Sequence, residues 1–464
     1  MTLPAPFEQS MRQLLGDDYE AFRDALLGEP AVSIRLNRSK CAIAPDYEPV
    51  PWATGGYYLK ERPAFTFDPW LHAGCYYVQE ASSMFVEQAV KQHLGAARVA
   101  LDLCAAPGGK STLLRSLLPD DCVLVSNEVM RPRAQVLAEN ITKWGHPRSI
   151  VSSNYPADFT PLGELFDLIL VDAPCSGEGM FRKDEVAVAE WSPENVTVCW
   201  KRQRDILTDI WPTLQPGGLL IYSTCTFNTQ EDEENVRWMV DELGAELLPI
   251  ALDDAWGITP SLMPDVAHAY RFLPGRTRGE GFFLAALRKP GTAPTTLSLA
   301  EPRGDKKSKN KQPITAVPAE CKQWITDSSY TYKVEGTDVV AMPTDMTVLH
   351  ATLSERLYLL KAGVTVAELK GRDAIPSHEL AMSTALCPTA FARQELTYAD
   401  ALRYLHREAI ALPMGTPRGF VLVTYRDIPL GFVKNLGNRA NNLYPNEWRI
   451  RSGYFPEEEV RVVR

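Results

Sequence analysis

Two cysteines stand where a thiol can do chemistry. Cys175 closes the tetrad Asp172-Ala173-Pro174-Cys175 after a nearly continuous apolar run, 166–171, and Cys225 sits in Ser223-Thr224-Cys225-Thr226 after a second run, 217–222. Runs of this kind read as strands buried on both faces. In an open parallel sheet, ligands bind beyond the carboxyl ends of the strands. Neighbouring strands lie about 4.8 Å apart, so both thiols and Asp172 can share one pocket if their strands pair. Methyl transfer to carbon 5 of a pyrimidine would use such a set. That carbon is a poor nucleophile until a thiolate adds at carbon 6. Asp172, as an acid or hydrogen-bond partner at ring nitrogen 3, would stabilise the charge that then builds on the ring. A second thiol can assist expulsion of the first. Spacing does not say which cysteine attacks, and two inert buried thiols would fit the same pattern.

A methyl donor needs a seat, and the stretch VALDLCAAPGGKST (99–112) offers one. It reads as a short buried strand, a turn at Pro107-Gly108-Gly109 and the start of an apolar helix. Glycines let backbone N–H groups approach a ligand, and the helix start favours anionic or electron-rich groups. The ending Gly109-Lys110-Ser111 invites a phosphate-loop reading, but that motif requires glycine where Cys104 stands. A nucleoside triphosphatase is therefore disfavoured. About twenty residues on, the run 123–126 ends at Asn127-Glu128, which places a carboxylate to hold the ribose hydroxyls of an adenosine-type cofactor. A third run, 149–154, ends at Asn154, whose amide can meet the adenine edge.

These elements belong to a 464-residue chain with 45% hydrophobic residues, enough for several domains. Strands and helices alternate from 96 to 290, which predicts a doubly wound, Rossmann-like α/β sheet closed by an antiparallel pair near 269–274 and 281–287. Residues 1–95 read as a small α+β module with a helical stretch over 7–27 and a strand over 32–37. Arg35 and Asn37 fall on that strand's polar face, either solvated or touching RNA. The aromatic, turn-rich stretch 52–70 reads as inter-domain packing before it reads as a base-stacking surface. Residues 291–318 are polar and proline-containing, with Lys306, Lys307, Lys309 and Lys311, and read as a linker. A small mixed domain over 319–390 and a β-rich one over 391–464 follow, the latter with a hairpin at 419–433.

The formal net charge is −10, yet 391–464 holds eleven basic against eight acidic residues. That local excess, interleaved with Asn435, Asn438, Asn441, Asn442, Tyr444 and Trp448, suits RNA backbone and base contacts. Nine cysteines without a C-x-x-C pair and seven scattered histidines give no metal site and no disulfide framework. No apolar stretch approaches the roughly 20 residues that span a bilayer, and no export signal opens the chain. The expectation is a cytoplasmic protein with no membrane association.

The motifs LDLCAAPGGKS (101–111), VDAPCSGEGMFRK (171–183), YSTCTFN (222–228) and RGEGFF (278–283) resemble the Nol/Nop/Sun family of RNA cytosine-5 methyltransferases over about 75–290. The flanking parts resemble the bacterial RsmF (YebU) branch, which adds a PUA-like RNA-binding domain and acts on 16S ribosomal RNA. The resemblance implies S-adenosylmethionine held by Cys104, Ala105, Ala106, Pro107, Gly108, Gly109 and Lys110, with Glu128 at the ribose, Asn154 near the adenine and Asp172 beside cofactor and base. It also implies that Cys225 is the nucleophile and Cys175 the releasing thiol, with Lys110 near the target base. Many relatives carry Asp where this chain has Asn154. Arg182 and Lys183 are candidates for RNA phosphates, with plain surface charge as the alternative. The implied partner is RNA, 16S rRNA or the small ribosomal subunit, bound by a monomer. A tRNA substrate and a non-catalytic ribosome-assembly factor are the alternatives, and the complete set of cysteines, Asp172 and glycine turn weighs against the second.

Overall fold

In the computed structural model, residues 2–292, 316–371 and 373–463 are described. The lysine cluster expected in a linker at 306–311 lies outside them. Five parallel strands make the centre of one large sheet, in the spatial order Leu214–Thr224, Phe166–Asp172, Val99–Asp102, Val123–Asn127, Ser149–Ser152. The sequence FDLILVD explains the central position of its strand. Leu168 and Leu170 enter one hydrophobic cluster and Ile169 and Val171 the opposite one, so the strand is buried on both faces. Helices Val86–His93 and Gly109–Leu117 cover one side, and Pro193–Ile210 and Glu233–Leu243 the other. The expected closing pair is there: Ala269–Phe272 pairs antiparallel with Phe282–Arg288, which pairs antiparallel with Leu214–Thr224.

The N-terminal module is a four-stranded antiparallel sheet preceded by two helices, Ala5–Leu15 and Tyr19–Leu26. The single helix expected over 7–27 is broken at Gly16, which takes φ +55°. Arg35 and Asn37 correct a sharper expectation, because both are buried. The polar face of their strand is pressed against the central α/β domain, and neither residue is solvated or open to RNA. Asn37 Nδ2 donates to Gly74 O and Trp144 O at 2.9 and 3.0 Å. The aromatic stretch does pack domains together: Trp52 and Tyr58 join a core cluster of the central α/β domain, while Trp70 Nε1 donates to Tyr425 O in the last domain at 3.3 Å.

The C-terminal part is less separable than its composition implies. Strands Tyr330–Glu335, Asp338–Pro343, Val364–Lys370 and Asp373–Pro376 form one sheet. The intervening strand Leu359–Ala362 leaves it to pair antiparallel with Ser149–Ser152 and so lengthens the large sheet. Residues on both sides of position 390, such as Val366, Leu380, Leu422 and Phe432, share one core. The last sheet contains the expected hairpin, Gly419–Tyr425 with Ile428–Asn435, turned by Arg426 and Asp427 at φ +51° and +65°, as a tight two-residue hairpin requires. Several residues read as RNA contacts are internal instead. Tyr444 is buried, Asn435 Nδ2 donates to Thr416 O and Pro417 O, Asn442 Nδ2 donates to Tyr404 O and Glu408 O, and Trp448 lies under Lys143. Asn438 and Asn441 remain exposed. Among the described residues no helix is long and apolar enough to cross a membrane.

Candidate active site

The register of the two central strands builds the site. Asp172 pairs with Ser223, so Cys175 and Cys225 emerge side by side from adjacent strand ends, and their Sγ atoms lie 3.3 Å apart. The Cys175 thiol is pushed well above its ordinary range, first by its hydrogen bond to Cys225 and then by burial. Either sulfur can donate across this contact, and the raised Cys175 value favours its protonated form. Gly179 runs so close beneath Cys225 that a Cβ there would stand 2.6 Å from Cys225 O, while Gly179 N–H donates to that oxygen at 2.7 Å. Only glycine fits.

Two buried carboxylates hold the cysteine loops, and the sequence reading singled out neither. Glu231 accepts from Ser176 N at 2.9 Å and from Gln203 Nε2 at 2.8 Å. Glu178 accepts from Phe227 N, Asn228 N and Thr226 Oγ1 at 2.7, 3.0 and 2.6 Å. Each ties the loop after one cysteine to the loop after the other. Glu178 lies inside a quoted motif, but Glu231 belongs to the run QEDEEN, whose charges look solvated until the fold buries Glu231, Asp232 and Glu233. Arg271, also buried, holds that run by pairing with Asp232 and Glu233 and donating to Phe227 O.

A cavity of about 440 Å³ opens beside the thiols. Its walls include Cys104, Ala105, Ala106, Pro107, Gly109, Lys110, Asp172 and Cys225, joined by Tyr77 and Gln79 from the N-terminal module and by Lys183, Glu280 and Phe282 near the mouth. Lys110 Nζ donates to Asp172 Oδ2 at 2.9 Å, and Ser223 Oγ donates to Asp172 Oδ1 at 2.8 Å. Burial alone would lower the Lys110 pKa, but the charge and hydrogen bond of Asp172, with Cys225 and Asp102 beyond, outweigh it and raise it. Lys110 is thus a firmly protonated donor facing Cys225.

The glycine turn is braced from three sides. Ala105 N–H donates to Asn127 O at 2.8 Å; Arg133 and Asn140 donate to Ala106 O and Pro107 O at 2.9 and 2.8 Å. Gly108 adopts φ +119°, which a side chain would oppose. Arg35 spans from the N-terminal sheet to this turn. Its Nη2 donates to Thr112 Oγ1 at 2.6 Å and Gly109 O at 3.3 Å, its Nε donates to Gln79 Oε1 at 2.7 Å, and it stacks 4.5 Å from the Trp144 ring centre. Beneath the turn, Asp102 accepts from Ser111 Oγ at 2.6 Å while its Oδ1 has no hydrogen-bond partner, and burial raises its pKa to about 7.

The chain matches the family model for 16S rRNA methyltransferase RsmB/F over residues 92–288, that for the N-terminal domain of 16S rRNA methyltransferase RsmF over 3–81 and that for the methyltransferase RsmF PUA domain over 391–450. It is 30% identical to the ribosomal RNA small subunit methyltransferase F of Pectobacterium atrosepticum, covering 97% of this chain and 96% of that one. The chain belongs to the ribosomal RNA small subunit methyltransferase F family. The Aliivibrio fischeri member is 32% identical, with 91% of each chain covered. Among solved structures, a methyltransferase homologue from Pyrococcus horikoshii shares 28% identity at a TM-score of 0.53, covering 61% of this chain and 94% of that one. NSun6 from the same organism, 19% identical at a TM-score of 0.52 with 62% and 99% covered, has the same fold.

Within this member of the methyltransferase F family, the expected site residues divide into two groups. Cys225, Asp172, Lys110 and the turn converge on the cavity, with Cys175 directly behind Cys225. Glu128 and Asn154 do not line it. Glu128 sits at its strand end as expected, where it accepts from Met130 N at 3.0 Å and faces Arg133 at 3.4 Å. The Asn154 amide is bound to the backbone of Tyr358. The phosphate reading of Arg182 is corrected, because its side chain is largely covered and donates to Glu280, Gly279 O and Ala25 O at 2.9, 3.0 and 3.0 Å. Lys183 stays at the cavity mouth, 3.1 Å from the same Glu280.

Proposed function

We propose that this chain methylates carbon 5 of a cytosine in RNA of the small ribosomal subunit, with Cys225 as nucleophile and Cys175 as the releasing thiol. The observation that carries the reading is the 3.3 Å approach of the Cys175 sulfur to that of Cys225, which shares one cavity wall with the Lys110–Asp172 pair. S-adenosylmethionine, when bound, supplies an electrophilic methyl group. The residues fit it: Cys104, Ala105, Ala106, Pro107, Gly109 and Lys110 line the cavity around a turn made by Gly108 at positive φ, and Glu128 stands at the strand end where this fold class holds ribose hydroxyls.

The chain's own groups then have distinct tasks. The Cys225 thiolate forms a bond to carbon 6, and the ring electrons move onto carbon 5 and toward nitrogen 3 and oxygen 2. The Lys110 ammonium, held by Asp172, faces that growing negative charge. The Asp172 carboxylate is an acceptor suited to the exocyclic amine, which separates cytosine from uracil. Once carbon 5 carries the methyl group it loses its proton to a base, the electron pair re-forms the ring double bond as the carbon 6–sulfur bond breaks, and Cys175, whose protonated form is favoured by its hydrogen bond to Cys225 and by burial, donates its proton to the departing thiolate. The basic last domain and the N-terminal module hold the RNA while the base leaves its stack. We read the protein as a cytoplasmic monomer.

The test uses Cys175→Ala. With S-adenosylmethionine and RNA it accumulates a covalent protein–RNA adduct on a denaturing gel, and Cys225→Ala does not. An adduct with Cys225→Ala instead reverses the assignment. Parallel assays on 16S rRNA, small subunits and tRNA identify the substrate.

A further inference from the structure

Three segments meet beyond the ends of strands Val123–Asn127 and Ser149–Ser152. They are residues 128–130, residues 153–155 and Tyr358, the residue before strand Leu359–Ala362. Ser153 N–H donates to Tyr358 O at 3.1 Å, and Ser153 Oγ donates to Val129 O at 3.3 Å. Asn154 clasps Tyr358 from both sides, its Oδ1 accepting Tyr358 N–H at 2.8 Å and its Nδ2 donating to Tyr358 O at 3.1 Å. A carboxylate at 154 could meet the N–H but would face the carbonyl oxygen as a second acceptor. The two-sided amide is what this joint needs.

The clasp leaves the Tyr358 ring half exposed, with the Arg131 guanidinium 5.2 Å from its centre. Met130 and Tyr155 expose apolar surface on the same rim. The rim is bonded to the cofactor cavity, since Ala105 N–H donates to Asn127 O and Arg133 bridges Ala106 O and Glu128. A half-exposed aromatic ring, on a rim tied through Arg133 to Glu128 and the glycine turn, offers a seat for a purine.

We propose that Tyr358, supplied by the C-terminal part of the chain, completes the adenine end of the cofactor site, and that Asn154 acts as a positioning residue for Tyr358 instead of reading the adenine edge. This rests on the cofactor reading given above. Its consequence is that the C-terminal part contributes to cofactor affinity as well as to RNA.

The test is calorimetric titration of S-adenosylhomocysteine into the full-length protein. Tyr358→Ala weakens binding about tenfold, the loss expected of one purine–aromatic stack, Tyr358→Phe retains wild-type affinity, and Asn154→Asp weakens binding by opening the clasp. RNA affinity, measured in the absence of cofactor, stays unchanged in Tyr358→Ala. Wild-type cofactor affinity in Tyr358→Ala, or a loss confined to RNA binding, overturns the proposal while leaving the cofactor reading intact. A wild-type protein that gives no binding heat overturns both.

Discussion

The centre and the edge of the catalytic sheet treat strand-end polar residues differently. At the centre, Asp172 ends one strand buried on both faces and Cys225 follows another, and both side chains keep a cavity in front of them. At the edge, Asn154 follows an equally buried strand, yet its side chain is spent on Tyr358, because the extra strand Leu359–Ala362 covers that side of the sheet. The same local pattern thus leaves a side chain facing the cavity in one place and makes a structural joint in the other. What differs is the neighbour, and the neighbour comes from some two hundred residues away.

Four outcomes break or sharpen this contrast. Removing the central thiol has the largest effect: Cys225→Ala abolishes methyl transfer from labelled cofactor to RNA, a loss of about a thousandfold or more, as for other covalent nucleophiles. Next comes Arg35→Met, which unmakes buried hydrogen bonds from a charged group to Gln79, Thr112 and Gly109. It destabilises the protein by about 1.5–3 kcal/mol in denaturant titration and raises the Michaelis constant for the cofactor more than it lowers turnover. An unchanged cofactor constant would confine Arg35 to a purely structural role.

The third outcome concerns pH. Asp102 has its folded pKa raised by burial to about 7, above the unfolded carboxyl value of 3.8. The folded state therefore binds this proton more tightly, and its stabilisation is complete below about pH 4 and lost progressively as pH rises toward 7. Asp102→Asn flattens that part of the stability profile measured by thermal melting between pH 5 and 8; an unaltered slope would show that the carboxyl is ionised in the fold. The smallest effect is that of Lys183→Ala, which weakens RNA binding a few-fold at low salt and reduces the salt slope by about one if Lys183 meets a phosphate. Arg182→Lys, by contrast, lowers stability without changing that slope.

Much of the catalytic domain was legible because buried parallel strands write themselves as apolar runs. Phe166–Asp172 and Leu214–Thr224 are examples, and their ends lead to Asp172, Cys175 and Cys225. Polar residues were harder to read. Arg35, Asn37 and Glu231 look solvated in the sequence and are buried in the fold, since each meets a partner far along the chain. Tyr444 and Asn435 looked like nucleic-acid contacts for the same reason. Periodicity reports which side of a strand is polar, but it does not report what covers that side.

The amino-acid sequence by itself determined the alternation of strands and helices, the glycine turn and a thiol shortly beyond the end of each of two apolar strands, because these depend on local hydrophobicity and backbone freedom. Only the tertiary structure decided that the sulfurs of Cys175 and Cys225 meet 3.3 Å apart, that Arg35 braces the glycine turn and that Asn154 is occupied by Tyr358. Those outcomes depend on burial and on hydrogen-bond partners brought together from distant parts of the chain, which no local pattern specifies.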